Sequence, residues 1–283
     1  MNNIKIISDS TCDLSNELIK TYGISLIPLM ISLGTSSLKD GLEVTPEELF
    51  QWSDETGETP KTAAPVLGDA IEFLKPYADS RAETIFFGIS ESMSATCNVL
   101  RLAAENLGYK DLHVVDSKNL STGIGLQVLR AAELVAKGYD VEAILEDNQV
   151  ISEKVRSSFV VDTLTFLHRG GRCSGVAALI ANTLKLKPEI IVQDGKMDVA
   201  KKYRGNLKSV LLKYVEDKKA LLQEADPTRI FITHSGCPPE IVNVIKEYLI
   251  ELHVFKEIHE TRAGGVISSH CGPNTLGILY ISR

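Results

Sequence analysis

The stretch Ile4–Asp13, with the sequence IKIISDSTCD, opens the chain with a short apolar strand that ends in a polar loop. A helical pattern follows from Leu14 to Tyr22 and stops at Gly23. The same order of strand, polar loop and helix is predicted again further along the chain. Repetition of this unit is typical of an α/β layer on a largely parallel sheet, because parallel strands need a crossover connection between them. The opening stretch therefore predicts the fold class of the N-terminal part.

The rest of the first half repeats this unit. Its predicted elements are a strand over Ile24–Leu33, a helix over Pro46–Trp52 with Thr45 as N-cap, a strand over Thr84–Ile89, a polar loop over Ser90–Ser94 leading into a helix to about Leu107, a strand over Leu112–Val115 and a helix over Gly125–Lys137. Proline lacks the N–H group that a sheet needs, so Pro28 places the Ile24–Leu33 strand at an edge or a bulge.

The second half has a different pattern. Its predicted elements are a strand over Ser157–Val161, helices over Leu164–His168 and Val176–Leu184, strands over Glu189–Val192 and Met197–Tyr203, a long helix from Leu207 to about Glu224, a strand over Ile230–His234, a helix over Pro239–Leu252, and strands over Lys256–Thr261 and Leu276–Ser282. The pair Asp194-Gly195 is a strong hairpin turn signal. A hairpin among helices predicts a mixed sheet.

We therefore place a domain boundary near residue 155. The expected architecture is a two-domain α/β fold, with an N-terminal α/β domain over residues 1–155 and a C-terminal α/β domain with a mixed sheet over residues 156–283. Ligands of such folds usually lie at the loop ends of the strands or between domains. The pattern of elements alone leaves both positions open.

Composition excludes several classes of protein. The 283 residues carry a net charge of -7, which disfavours a nucleic-acid binder because phosphates attract an electropositive face. The five cysteines include no CxxC pair, so neither a disulfide framework nor a zinc site is indicated, and free thiols in a reducing cytosol are expected. No signal-like N-terminus and no apolar run of roughly 20 residues is present, so we expect a cytoplasmic protein without membrane integration.

Common nucleotide and catalytic motifs are also missing from the sequence. There is no G-x-x-x-x-G-K-[ST] loop, no G-x-S-x-G elbow and no H-E-x-x-H helix. The Gly123-Ile124-Gly125 segment lacks the third glycine of a dinucleotide fingerprint. We therefore expect no nucleotide cofactor and no metal.

Positive charge is concentrated in one segment. Between Lys154 and Lys208 the chain has 11 lysines or arginines against 4 acidic residues. Such a segment is either a solvated face or a docking surface for an acidic or phosphate-bearing partner. The pattern alone leaves both interpretations open.

Hydroxyl and small residues at the ends of predicted elements are the candidate site. They comprise the Asp9–Asp13 loop, Thr62 in a loop before Pro65, the Ser90–Thr96 segment, Gly170-Gly171-Arg172, and His270 in a tight turn between strands. Each has a structural interpretation as a helix cap, a turn or a surface charge. The Ser90–Thr96 segment also opens a helix, whose N-terminal amides attract anions.

Taken together, these segments resemble the DegV family over the whole chain. The motifs that carry the resemblance are, in order, Ser8-Asp9-Ser10-Thr11 with Asp13-Leu14, Ile27-Pro28-Leu29, Asp40-Gly41, Thr62 with Pro65, Ile89-Ser90 with Ser94-Ala95-Thr96, Gly170-Gly171-Arg172, Lys187-Pro188, Arg204-Gly205, and His270 with Gly272-Pro273. No single motif is specific, whereas the ordered set is.

The resemblance implies two α/β domains that enclose one long-chain fatty acid, such as palmitate or oleate. Some members are the fatty-acid-binding subunit of bacterial fatty acid kinase, whose catalytic subunit phosphorylates the carboxylate. Carried over by motif, Thr62, Ser94 and His270 look like the carboxylate ligands, with the amide of Ala95 nearby. Arg172 and Arg204 look like residues that face the kinase. The implied protein is a carrier without catalytic activity of its own.

The chain departs from the family pattern near the head group. It has Thr62-Ala63-Ala64-Pro65-Val66 where Thr-Ser-Gln-Pro-Ser is common, and Ser94-Ala95-Thr96-Cys97 where Ser-Gly-Thr-Tyr is common. A side chain at Ala95 restricts the backbone if that position needs a positive φ. Two alternative functions stay open: an acyl hydrolase or transferase, which needs an acidic residue to orient His270, and a lipid-sensing regulatory protein.

Overall fold

The computed structural model describes residues 3–176 and 186–283. Its strands are β1 (Ile4–Asp9), β2 (Ser25–Ile27), β3 (Met30–Leu33), β4 (Ser36–Lys39), β5 (Lys61–Ala63), β6 (Glu83–Gly88), β7 (Leu112–Asp116), β8 (Val155–Val160), β9 (Leu186–Gln193), β10 (Lys196–Arg204), β11 (Ala225–Ser235), β12 (Glu257–Arg262) and β13 (Thr275–Ser282). The helix predicted over Val176–Leu184 lies outside the described residues, apart from Val176, which ends a short 3₁₀ turn.

The described α-helices are α1 (Asn16–Tyr22), α2 (Pro46–Thr56), α3 (Leu67–Ser80), α4 (Thr96–Leu107), α5 (Thr122–Ala136), α6 (Val141–Lys154), α7 (Thr165–Gly170), α8 (Leu207–Asp217), α9 (Lys219–Gln223), α10 (Pro239–Glu251) and α11 (Gly265–Cys271). The long helix predicted from Leu207 to Glu224 is wrong, because the chain breaks at Lys218 into α8 and α9. Sequence analysis missed α3, whose interior contains the helix breaker Pro76.

The N-terminal sheet is parallel, as predicted. Its four strands lie in the order β2-β1-β6-β7, and every neighbouring pair runs in parallel. The loops that follow β1 and β6 therefore lie at the same edge of the sheet. One of these loops is Ser90–Ser94, which leads into α4.

The single strand predicted over Ile24–Leu33 is wrong. The chain instead forms β2 and β3, which belong to different sheets and are separated at Pro28. In the second of these sheets, β3 lies between β4 and β5, and both pairings are antiparallel. Thr62 was expected in a loop, yet it lies on β5 opposite Ile31 of β3.

The six-stranded sheet is mixed, which confirms the fold class. Its order is β10-β9-β8-β13-β11-β12, and only the β11–β12 pair is parallel. Asp194 and Gly195 both have positive φ at the turn between β9 and β10, as the hairpin signal predicts. The four-stranded and three-stranded sheets precede residue 155 and the six-stranded sheet begins there, but the division into two domains stays a prediction.

Helix α5 lies between the two large sheets and packs against strands of both. Eleven of its fifteen residues are buried, which is more than one face of a helix can supply. Helices α3 and α4 cover the outer face of the four-stranded sheet, where Leu74 and Leu100 pack near Phe86. On the far side, α8 and α10 cover the outer face of the six-stranded sheet. The resulting order of layers places the candidate site beside α5, between the sheets.

Candidate functional site

A cavity of about 200 Å³ lies between the N-terminal and C-terminal parts of the chain. Its lining is mainly apolar, with the polar side chains of Thr62, Ser94, Arg172 and His270 among it. The lining residues are Leu29, Thr62, Ala63, Ala64, Ile89, Met93, Ser94, Ala95, Leu120, Arg172, Met197, Val266, Ile267, His270 and Cys271. A mostly apolar pocket with a few convergent polar groups is the form of a small-molecule site.

The structure brings Thr62 and His270 together across 208 positions of sequence. The Oγ1 atom of Thr62 lies 2.7 Å from Nε2 of His270, within hydrogen-bonding distance. Thr62 is held by β5, whereas His270 lies near the end of α11. The tight turn predicted for His270 is therefore wrong: Gly264 begins the helix and Gly272 follows it, so the histidine is inside a helical turn.

The imidazole of His270 is neutral at pH 7. Burial lowers its pKa to about 4, because desolvation disfavours the charged form, and the nearby Arg172 guanidinium acts in the same direction. Its Nδ1 atom is shielded from solvent and has no hydrogen-bond partner among the described residues. Gly170 packs directly against this nitrogen, and a methyl group there would collide with the ring. This contact explains the first glycine of Gly170-Gly171-Arg172.

Ser94 and Ala95, which directly precede α4, both line the cavity. The Oγ atom of Ser94 is 2.8 Å from Oγ1 of Thr96 and accepts a hydrogen bond from the Thr96 amide. Ala95 is the N-cap residue with φ of -83° and ψ of 8°. The alanine therefore needs no positive φ, and its side chain causes no strain.

The turn between β9 and β10 is tied to the loop before α4. Ser90 donates a hydrogen bond of 2.7 Å from Oγ to the carbonyl oxygen of Gly195. A side chain at Gly195 would meet that hydroxyl at 2.6 Å, so a residue without a side chain is required at this position. This contact fixes the hairpin against the N-terminal part and places Met197 in the cavity wall.

Arg172 crosses the boundary between the cavity and a second space outside it. Its guanidinium donates to the carbonyl oxygen of Gly170 at 2.8 Å and to that of Met93 at 3.5 Å. The outer space, about 740 Å³, shares Thr62, Arg172 and His270 with the cavity, and is also lined by Gly57, Glu58, Thr59, Pro60, Lys61, Arg169 and Gly170. We call it the vestibule.

Arg204, the other arginine singled out by sequence, is not at the cavity. It is exposed at the end of β10, opposite Leu186. The 3₁₀ turn after Arg172 packs near Asp198 and Val199 of the same strand. At about 3.3 Å per strand residue, Arg204 lies roughly 17 Å farther along β10 from Val199.

The polar loop after β1 does not line the cavity. Asp9 is fully buried and accepts hydrogen bonds from the amides of Thr11 and Ile89, while burial raises its pKa to about 6. The Ile89 contact supports the cavity wall from behind. Sequence analysis also missed the apolar wall residues Leu120, Ile267 and Met197, because a buried apolar residue in a wall and one in a core have the same sequence pattern.

Within residues 3–176 and 186–283, no group of three or more His, Cys, Asp or Glu side chains is placed to hold a metal ion. None of the helices described there is both long and apolar enough to span a membrane.

Comparison with known proteins gives concordant results. A relative from Clostridium perfringens, a DegV domain-containing protein, is 32% identical over 283 residues and covers 100% of both chains. Among solved structures, a DegV family protein from Thermus thermophilus with fatty acid binding superposes with a TM-score of 0.91 at 30% identity, over 100% of both chains.

DegV from Bacillus subtilis, a fatty acid binding protein, superposes with a TM-score of 0.85 at 25% identity, also over 100% of both chains. The sequence profile described as "Uncharacterised protein, DegV family" matches residues 3–283. The family expected from the ordered motifs is thereby confirmed over almost the whole chain, and the protein belongs to the DegV family.

Proposed function

We propose that this protein binds one long-chain fatty acid and presents its carboxylate to a partner kinase for acyl-phosphate formation. The observation that carries the proposal is a mainly apolar cavity whose lining includes the polar side chains of Thr62, Ser94 and His270. The solved relatives from Thermus thermophilus and Bacillus subtilis, described as fatty-acid-binding, support the same ligand class. The carboxylate would accept hydrogen bonds from these side chains and from the Ala95 amide.

In such a site most of the binding free energy comes from the acyl tail, whereas the head group determines the orientation of the ligand. At ~0.8 kcal/mol per buried CH₂, about 15 methylenes contribute roughly 12 kcal/mol before ordering costs. One hydrogen bond to a charged group contributes only about 1.5–3 kcal/mol. A neutral His270 can donate one such bond without adding a full charge.

A fatty-acid tail that is too long for the cavity has further apolar space beside it. The cavity of about 200 Å³ is smaller than the roughly 300–1,000 Å³ of typical ligand pockets, so a long chain needs more space. An apolar hollow of about 20 Å³ adjoins it and shares Leu120, Ile267 and Cys271 with its wall. We infer that the acyl chain runs past these three residues, between α11 and the inner face of the six-stranded sheet.

The geometry around His270 supports a carrier over a hydrolase. A nucleophile–histidine–acid arrangement needs a carboxylate on the second ring nitrogen. Here that nitrogen contacts Gly170 and lacks a partner among the described residues, and the stretch 177–185 contains no acidic residue. Ser94 is bonded to Thr96, and the histidine to Thr62.

The vestibule supports presentation to a partner. It opens onto the carboxylate end of the cavity and carries three cationic side chains, Lys61, Arg169 and Arg172, against Glu58. Positive charge there attracts the anionic groups of a phosphoryl-transferring enzyme. Arg204 would extend the docking face along β10. The cytoplasmic location expected from the sequence fits this role and stays a prediction.

The first experiment is mass spectrometry of lipid extracted from the purified protein. We expect close to one fatty acid per chain, with exchange for added palmitate or oleate. Protein that carries no lipid and takes up neither fatty acid would contradict the proposal. Steady hydrolysis of an activated acyl ester that is lost in Ser94→Ala would instead establish the hydrolase.

A second experiment separates binding from presentation. Arg204→Glu should leave fatty-acid content unchanged and reduce acyl-phosphate formation by a kinase from the same organism, as raised salt does. Arg172→Glu should reduce both, because this side chain lies at the cavity itself. Lys110→Glu, an exposed charge reversal in the turn between α4 and β7, is the matched control. Unimpaired acyl-phosphate formation in both arginine variants would contradict the proposed docking surface.

A further inference from the structure

Helix α11, which carries His270, begins in an unusual way. Its N-cap residue is Gly264, so its own N-cap provides no side chain to bond the first amides. Two carboxylates from the opposite end of the sequence take this role: Asp13 Oδ1 accepts from the Gly264 amide and Asp40 Oδ1 from the Gly265 amide, each at 2.8 Å. The helix is capped in trans across 251 and 225 positions of sequence.

The glycines make this approach possible. A side chain at Gly265 would lie 2.7 Å from Asp40 Oδ1 and 2.7 Å from a methyl group of Ile31. One at Gly264 would lie 3.1 Å from Asp13 Oδ1. The pair Gly264-Gly265 therefore permits the carboxylates to reach the helix backbone.

The two carboxylates fix α11 to different parts of the site. Asp40 directly follows β4, a strand of the sheet that holds Thr62, and its Oδ2 accepts a 2.7 Å hydrogen bond from Ser10. Asp13 lies in the loop after β1, and its Oδ2 accepts a 2.5 Å hydrogen bond from Ser121, which precedes α5. Both carboxylates are buried and bonded on both oxygens.

We propose that Asp13 and Asp40 are positioning residues of the fatty-acid site, which hold α11 by its first amides and thereby place His270 against Thr62. His270 follows Gly265 by five residues, or about 7.5 Å along the helix axis. A seven-residue helix has few hydrogen bonds of its own, so contacts from outside the helix must hold it, and these two are the ones that bind its first amides. The inference rests on the proposed fatty-acid function.

The protonation of Asp13 gives the contact a specific chemical signature. Burial raises its pKa to about 8, with Asp40 and Asp9 adding repulsion, and the pKa of Asp40 is raised for the same main reason. The raised pKa favours the protonated form of Asp13, in which the acid hydroxyl donates to Ser121 Oγ in place of accepting from it, while Oδ1 still accepts from the Gly264 amide. Arg262 faces the same cleft of about 310 Å³ and is paired with Glu47 at the surface. Asparagine can reproduce both hydrogen bonds of the neutral acid.

The first test measures oleate affinity at pH 7. Asp13→Ala and Asp40→Ala should each weaken binding at least fivefold, while Asp13→Asn should stay within twofold of wild type. Asp140→Ala removes the aspartate cap of α6, which bonds the Ala143 amide, and as the matched control it should leave affinity unchanged. When His270 is already replaced by alanine, adding Asp13→Ala or Asp40→Ala should weaken oleate binding much less than it does in the wild type. Unchanged oleate affinity in Asp13→Ala and Asp40→Ala would overturn the proposal. So would double variants whose loss of affinity equals the product of the two single losses.

The second test needs no ligand. NMR titration of the labelled histidines should show the pKa of His270 moving from about 4 toward its ordinary value in Asp13→Ala and Asp40→Ala, and not in Asp13→Asn or Asp140→Ala. An unmoved His270 pKa in folded alanine variants would overturn the positioning role. Failure of wild type to bind oleate, with the His270 shift present, would contradict the proposed function alone.

Discussion

The cavity and the vestibule share three residues and are otherwise opposite in character. The cavity is walled by apolar side chains such as Ile89, Leu120 and Ile267. The vestibule is lined by a turn and by exposed cations, which include Lys61 and Arg169. Thr62, Arg172 and His270 form the boundary between the two.

This difference indicates that the cavity and the vestibule have different roles. Burial of apolar area is non-directional and scales with the number of methylenes, so the cavity sets how tightly a ligand binds. Exposed charges contribute little to affinity but steer the approach of charged partners. Changes in the cavity should therefore alter occupancy, and changes in the vestibule should alter what happens to the bound ligand.

The largest effect is expected from filling the cavity. Ala64→Trp places an indole in the wall where Ala64 now stands, and excluding about four methylenes costs roughly 3 kcal/mol, or about 100-fold in affinity. Palmitate binding and the melting temperature should be measured together. Val66→Trp is the control, because Val66 is 55% exposed and outside the cavity wall. Equal losses of palmitate affinity in Ala64→Trp and Val66→Trp would show that filling the cavity does not cause the weaker binding.

A smaller effect is expected at the boundary. Ser94→Ala or His270→Ala should weaken fatty-acid binding by roughly 1–3 kcal/mol, or about 5- to 100-fold, the range for losing a hydrogen bond to a charged acceptor. The loss should be the same for laurate and palmitate, since it concerns the head group alone. A loss that grows with chain length would place these residues along the tail.

The third prediction concerns stability against pH. The folded state holds His270 with a pKa of about 4, below the ordinary value of 6.5, so the unfolded chain takes up a proton first as pH falls. The stabilising contribution is complete above pH 6.5 and is lost down to about pH 4. The melting temperature of the wild type should therefore fall more between pH 6.5 and about pH 4 than that of His270→Gln. Parallel pH profiles would show that the imidazole is not held neutral.

The smallest effect is expected in the vestibule. Lys61→Glu should change palmitate affinity by less than about fivefold, because exposed charge pairs contribute roughly 0–1 kcal/mol. The residual change should disappear at high salt, where charges are screened beyond about 3 Å. Calorimetric titration at two ionic strengths measures both. A large, salt-independent loss would place Lys61 inside the binding site.

Local sequence signals predicted the parts of the fold that local chemistry determines. The strand before Asp9, the capped start of α2 at Thr45 and the turn at Asp194-Gly195 all follow from neighbouring residues, and the structure confirms them. Pro28 and Pro76 show the limit of such rules. The first separates two sheets where one strand was expected, and the second is tolerated inside α3.

The site depends on contacts that no local pattern contains. Thr62 and His270 are 208 positions apart and meet only because β5 and α11 pack together. The resemblance to a family selected them, with Ser94 and Ala95, as the head-group residues, and the structure places all four in one cavity wall. Their contact with a carboxylate stays a prediction. The position of Arg172 at the boundary was not foreseen, because a charged residue after two glycines suggests only an exposed turn.

The burial of α5 has a consequence for how the molecule unfolds. This helix precedes residue 155, yet its side chains are shared between the inner faces of both large sheets. Separating the halves would expose the buried apolar side chains of this helix, together with the strand faces that cover them. Neither half has a complete interior without the other. Heating should therefore melt both halves in a single cooperative transition, and a chain cut at residue 155 should yield fragments that aggregate unless they are produced together.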